Sequence, residues 1–145
     1  MIDKSTGELI LIDSVRLGPG LSHKQFRSSP LCQGATGLIH NEGWHSYGMV
    51  GAGTNQQKLY ITLQFFNSTL KWIDFVADGG TDLDESEQQR FHDTLLEEWL
   101  GTGPYEYPWG EVTSSYDPKA DKSSIIIVYR NNESGVLSWL FGKRV

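Results

Sequence analysis

The residues of this chain that could do chemistry are four histidines, one cysteine and several paired carboxylates. His40 and His45 stand five apart and bracket Glu42, a grouping that could ligate a metal or move a proton. The spacing is not that of ligands on one helix face, and a metal would need further ligands from elsewhere in the chain. His45 reads as a strand residue beside Trp44 and His40 as a loop residue. His23 and His92 have no partner in sequence.

Cys32 could act as a nucleophile with a histidine as base. It follows Ser28-Ser29-Pro30-Leu31, with no strained turn or long helix start to activate it. It reads as a small apolar filler. No G-x-S-x-G elbow and no S-x-x-K motif occur. Gly48 to Gly53 lacks the full G-x-G-x-x-G spacing and leads into a strand, so it reads as a hairpin turn.

The carboxylates divide by position. Asp82, Asp84, Glu85 and Glu87 crowd the start of a helix, where its positive end favours them. Asp117 and Asp121 are separated by Lys119 and Ala120 and followed by Lys122; the lysines oppose a cation, and Asp117-Pro118 starts a turn well. Glu97 and Glu98 lie near the helix C-terminus, where the dipole gives them no support. Next comes Tyr105, Tyr107 and Trp109, stiffened by Pro104 and Pro108. Rigid aromatics on such a loop suit a protein contact, or else seal a corner of the fold. The candidate binding residues are therefore Tyr105, Tyr107, Trp109, Glu97 and Glu98. No catalytic residue, metal ligand or cofactor is expected, and the reading leans against an enzyme.

These residues need elements to position them. Glu8 to Leu17 reads as a first strand, ended by Gly18-Pro19-Gly20. Ser22 and Gln25 form a capping box for a short helix, with Leu21 and Phe26 at its staple positions and Pro30 limiting it. Cys32 to Gly37 reads as loop. Trp44–Val50, Lys58–Phe66 and Leu70–Val76 read as a three-stranded antiparallel meander; the alternation of Leu59, Ile61, Leu63 and Phe65 is its clearest part. Asp84 with Glu87 caps a long helix whose stripe is Phe91, Leu95 and Trp99, joined by Leu96 and Leu100. Gly101 and Gly103-Pro104 stop it. Glu111–Tyr116 and Ser123–Arg130 read as strands, and Val136–Phe141 as a last strand or short helix. The expected fold is a single α+β domain over 1–145. It has one antiparallel sheet of about five to seven strands, one long amphipathic helix and one short helix.

Composition bounds the function. The chain has 145 residues, 38% apolar and 21% charged, as an ordinary globular domain does. A net charge of −6 argues against nucleic-acid binding and against docking on an anionic membrane, while it suits a basic protein partner. One cysteine allows no internal disulfide and no cysteine-based zinc site. The start of the chain does not read as a secretory leader, and no apolar run approaches the ~20 residues of a membrane span, so a cytoplasmic location is expected.

Leu17 to Pro30, followed by "WHSYGMV" and "LYITLQFFNSTLKWIDF", resembles a small bacterial α+β module in which a short helix start precedes a meander. The layout is similar to β-lactamase-inhibitor-protein-like and outer-membrane assembly lipoprotein-like modules. Ser68-Thr69 stands where those modules often have Gly. The later "WGEVTSSYDP" and "SSIIIVY" resemble uncharacterised bacterial proteins, some of immunity type. The resemblance implies a protein-binding immunity or inhibitor function and supplies no site residues. The alternative is a small hydrolase or ligand-binding domain built on His40, Glu42 and His45.

Overall fold

The computed structural model describes residues 1–79, 83–119 and 122–130. Asp82, Asp121 and the element expected at Val136–Phe141 lie outside the described residues.

The N-terminal segment is a small hairpin rather than one strand. β1 (Leu9–Ile10) and β2 (Arg16–Leu17) pair antiparallel, Leu9 opposite Leu17. Between them Asp13 and Ser14 take positive φ, 64° and 63°, a conformation that Asp tolerates better than most residues. The reversal lets Leu9, Leu11 and Leu17 all bury, together with Ile2. α1 (His23–Ser28) has the expected box: Ser22 Oγ accepts from the Gln25 N–H, and the Gln25 side chain accepts from the Ser22 N–H. Pro30 then opens a second short helix, α2 (Pro30–Gln33), since its fixed φ suits a first helical position.

The main sheet has seven antiparallel strands: β3 (Thr36–Asn41), β4 (Trp44–Ala52), β5 (Lys58–Phe66), β6 (Thr69–Ala77), β7 (Glu106–Tyr107), β8 (Gly110–Asp117) and β9 (Lys122–Tyr129). Their spatial order is β3-β4-β5-β6-β9-β8-β7. The expectation of an α+β domain with one sheet, one long helix and one short helix is thus corrected. The described chain is mostly sheet, with a separate two-stranded sheet, one long helix, two short α-helices and a 3-10 turn at Ile12–Ser14. Two segments account for this: the Asp13-Ser14 reversal, and Thr36–Asn41, where Thr36, Gly37 and His40 read as loop but the segment pairs to β4 as an edge strand.

Cross-strand register builds the core in rows. Tyr47, Leu63, Ile73, Ile127 and Val112 face one another across five strands, and Met49, Ile61, Phe75 and Ile125 form the next row. α3 (Glu85–Leu100), capped by Asp84 with Glu87, covers the β8–β9 side with Leu95, Leu96 and Leu100. Phe91 and Trp99 are half-buried, with Trp99 stacked at 6.2 Å on Phe75. The N-terminal hairpin and Phe26 of α1 complete the same core.

His92 lies fully buried on the α3 stripe, one turn before Leu95 and Leu96. Its Nε2 accepts from the Ala77 N–H at 3.1 Å and from Gln88 Nε2 at 3.0 Å. Its Nδ1–H therefore donates to Ser123 Oγ, at 2.9 Å. Burial lowers its pKa to about 4. In the unfolded chain it titrates near the ordinary value of about 6.5, so the unfolded state binds the extra proton first. The stabilisation is complete above about pH 6.5 and is lost as pH falls, by about 2 kcal/mol at pH 5. Denaturant unfolding at pH 7.5 and pH 5 should show this loss, and His92→Gln should flatten the slope. An equal slope in both proteins would show that another group carries it.

Candidate functional site

The helix-to-sheet corner and its carboxylates form a groove. A cavity of about 500 Å³ runs between α3 and the β7–β8 edge. Leu96, Pro104, Tyr105 and Val112 give it an apolar floor. Asp93 and Glu97, one turn apart on α3, line one wall; Glu106 and Glu111 line the other. Ser114 Oγ is buried at its end and makes no hydrogen bond among the described residues. Burial pushes the Tyr105 phenol pKa up, and the nearby charges of Glu97 and Asp93 push it further. The space in front of this ring thus has a negative potential, which favours a cation.

The aromatic residues part company here. Tyr105 faces the groove. Trp109 packs the other way: its Nε1–H donates to the Lys4 carbonyl at 2.8 Å, its ring lies against Gly7, and Tyr107 stacks on it at 4.9 Å. Beneath it, the buried Tyr129 hydroxyl donates to the Gly7 carbonyl at 2.6 Å. Trp109 and Tyr107 therefore clamp the N-terminal hairpin onto the sheet. Glu97 lines the groove, whereas Glu98 is exposed outside it. Asp93, Glu106 and Glu111 escape a sequence reading because they meet only through the β7–β8–α3 packing.

A second cluster gathers at the opposite sheet edge. His40 and His45 are direct partners in the β3–β4 register, and their Nδ1 atoms stand 2.9 Å apart. His23, from α1, stacks on His45 with ring centroids at 4.2 Å, and its Nε2 bonds the Tyr47 hydroxyl at 2.7 Å. Burial lowers the His23 pKa, with His45, Arg27 and His40 adding to the effect. Glu42 is exposed in the β3–β4 turn at φ 50°. Cys32 packs half-buried against the core. No group of three or more His, Cys, Asp or Glu residues suited to a metal ion occurs among the described residues. Periodicity cannot find this cluster, because His23 arrives from a separate helix.

No protein-family model matches the chain, and no curated protein matches it. A solved structure of Rhs1-CT in complex with cognate immunity protein RhsI1 contains a chain of similar fold. The TM-score is 0.64 at 17% identity, covering 97% of this chain and 94% of that one. The likeness concerns the fold across almost the whole chain. It agrees with the immunity-type resemblance at that level and does not bear on the β-lactamase-inhibitor-like or outer-membrane assembly lipoprotein-like layouts. No helix among the described residues is long and apolar enough to cross a membrane.

The two aromatic roles separate in stability measurements. Trp109→Ala should cost about 3 kcal/mol in chemical unfolding, the lower end for a large aromatic lost from a packed site, because the ring is only half-buried. Tyr105→Ala should cost less than about 1 kcal/mol. Equal losses would mean that Tyr105 is also a structural clamp.

Proposed function

We propose that this chain is a non-catalytic protein-binding module of immunity type, which docks a basic surface of a toxin into the groove between α3 and β8. The observation that carries the reading is the groove itself: a half-buried tyrosine on an apolar floor, between carboxylates from two walls. An Arg or Lys side chain entering it would gain charge pairing and ring contact together. Such aromatic-anchored pockets are where binding energy concentrates. The fold likeness to a chain of a toxin–immunity complex supports the reading. Within it, Tyr105 and Glu97 are the contact residues, Tyr107 and Trp109 hold the corner behind them, and Glu98 adds only to the acidic field. The proposed location is the cytoplasm.

A second reading, a small ligand-binding or hydrolytic domain, draws on the convergence of His23, His40, His45 and Tyr47. Among the described residues no Ser or Cys is hydrogen-bonded to these imidazoles, and Glu42 is exposed in the β3–β4 turn. We rank it below the binding module.

The test is capture of the partner from the native host with this chain as bait, followed by co-expression and affinity measurement on the purified pair. Asp93→Lys with Glu97→Lys should weaken binding more than tenfold, abolish protection of growth and leave the circular dichroism spectrum unchanged. Wild-type affinity should fall with added salt, as charge pairing at a rim requires. A folded double variant that binds and protects like wild type would remove the groove from the interface.

A further inference from the structure

The main sheet ends in two edges of opposite character. At one edge several safeguards against strand pairing coincide. β7 is two residues long, lies between Pro104 and Pro108, and sets Glu106 opposite Glu111. At the other edge β3 runs six residues, exposed throughout, with no proline and no charge. The strand behind it, β4, also carries no Asp, Glu, Lys or Arg. In a chain of which 21% is charged, two adjacent strands without a charge make a neutral border.

Apolar surface gathers at the same border. Among the described residues seven large apolar side chains are exposed, and Leu38, Ile39, Val50 and Tyr60 are four of them. These four share the face of the sheet turned away from His45 and Tyr47. Val50 stands opposite Tyr60, Ile39 stands opposite Ser46, and Leu38 lies over Gly48. The register shift between Gly37 and Ile39 brings Leu38 and Ile39 onto that face together rather than capping the edge. α1, α3 and the N-terminal hairpin pack with the core on the opposite face.

Charge decides which partner fits. Two copies of a chain with net charge −6 repel most where acids face acids. Asp93, Glu97, Glu106 and Glu111 therefore close the groove side to self-association. At the β3 border two copies meet with no strand charge opposed. Antiparallel pairing also sets Glu42, in the β3–β4 turn, beside the start of the other β3 rather than beside its own counterpart. We propose that β3 pairs antiparallel with β3 of a second copy, joining two sheets into one, with Leu38 and Ile39 of both copies packed along the seam. Backbone groups of Thr36–Asn41 that point away from β4 gain partners, as in strand addition to any open edge. The same patch meets itself across a two-fold axis, so assembly closes at two copies. The acidic grooves lie at the outer ends of the joined sheet and stay open.

The experiment is sedimentation velocity on the untagged full chain. Between about 1 μM and about 200 μM the wild-type chain should pass from monomer to dimer, as a small edge contact requires. Ile39 is half exposed, so Ile39→Lys and Ile39→Glu should both keep the wild-type circular dichroism spectrum and Tm. Each variant alone should self-associate at least tenfold more weakly, because like charges meet at the seam. An equimolar mixture of the two should recover the dimer, since Lys then meets Glu. A dimer built on another surface would not show this rescue. A wild-type chain that stays monomeric at the highest concentration would overturn the proposal; if Ile39→Lys then weakens binding of the captured partner, the edge belongs to that partner. A dimer that survives both substitutions, or a mixture no more associated than either variant, would overturn it by placing the contact elsewhere.

Discussion

The fold depends on the antiparallel contact between β6 and β9. Phe75 faces Ile125, Ile73 faces Ile127 and Trp72 faces Val128. Apart from this contact, the sheet consists of two local meanders, β3 to β6 and β7 to β9, whose strands pair with sequence neighbours. The β6–β9 contact joins them into one sheet and makes the Ile73 and Phe75 rows continuous. It is also the entropically costly step, because the segment containing α3 must close as a loop first. The α3 stripe offsets that cost by burying itself on β8 and β9. His92 reinforces the closure by bonding Ala77 of β6 and Ser123 of β9 at once.

The groove is a product of the same closure. One wall is the exposed side of α3 and the other is the β7–β8 edge, so its carboxylates come together only when helix and sheet are docked. Its far end is held from behind. Gly110 lies so close to β9 that a Cβ would overlap the Val128 carbonyl, and that approach pairs Gly110 with Tyr129. Tyr129 and Trp109 then bind the N-terminal hairpin through the carbonyls of Gly7 and Lys4. A loop with two prolines and three aromatics therefore works in two directions, one ring toward the groove and two toward the core.

Local signals in the sequence were legible where one element sufficed to produce them. The β5 alternation, the two capping boxes and the glycine stop after α3 each rest on contacts within a few residues, and each matches the structure. What escaped needed distant partners. Thr36–Asn41 is exposed along its whole length and carries no apolar alternation, so only its pairing with β4 makes it a strand. The first strand looked continuous because Leu9, Leu11 and Leu17 are all apolar. The Asp13-Ser14 reversal buries the same residues by another route. Part of the candidate groove was legible for the same reason. Glu97 and Tyr105 stood out individually, whereas Asp93 and Glu111 acquire meaning only across the helix–sheet seam.

The net charge of −6 conceals an uneven distribution. Asp93, Glu97, Glu106 and Glu111 surround the groove, while Lys24 and Arg27 line a separate cavity of about 380 Å³ beside α1. A uniformly acidic surface would attract a basic partner in any orientation. An acidic groove set apart from a cationic patch attracts at one place and repels at another, which selects the approach as well as the sign of the partner. Surface charges of this kind act on encounter rate and register more than on affinity, so in the proposed contact the aromatic floor is the part that would carry affinity. Tyr105 is suited to the proposed contact because Trp109, rather than Tyr105, holds the corner: the ring proposed to bind is not the ring that clamps the N-terminal segment.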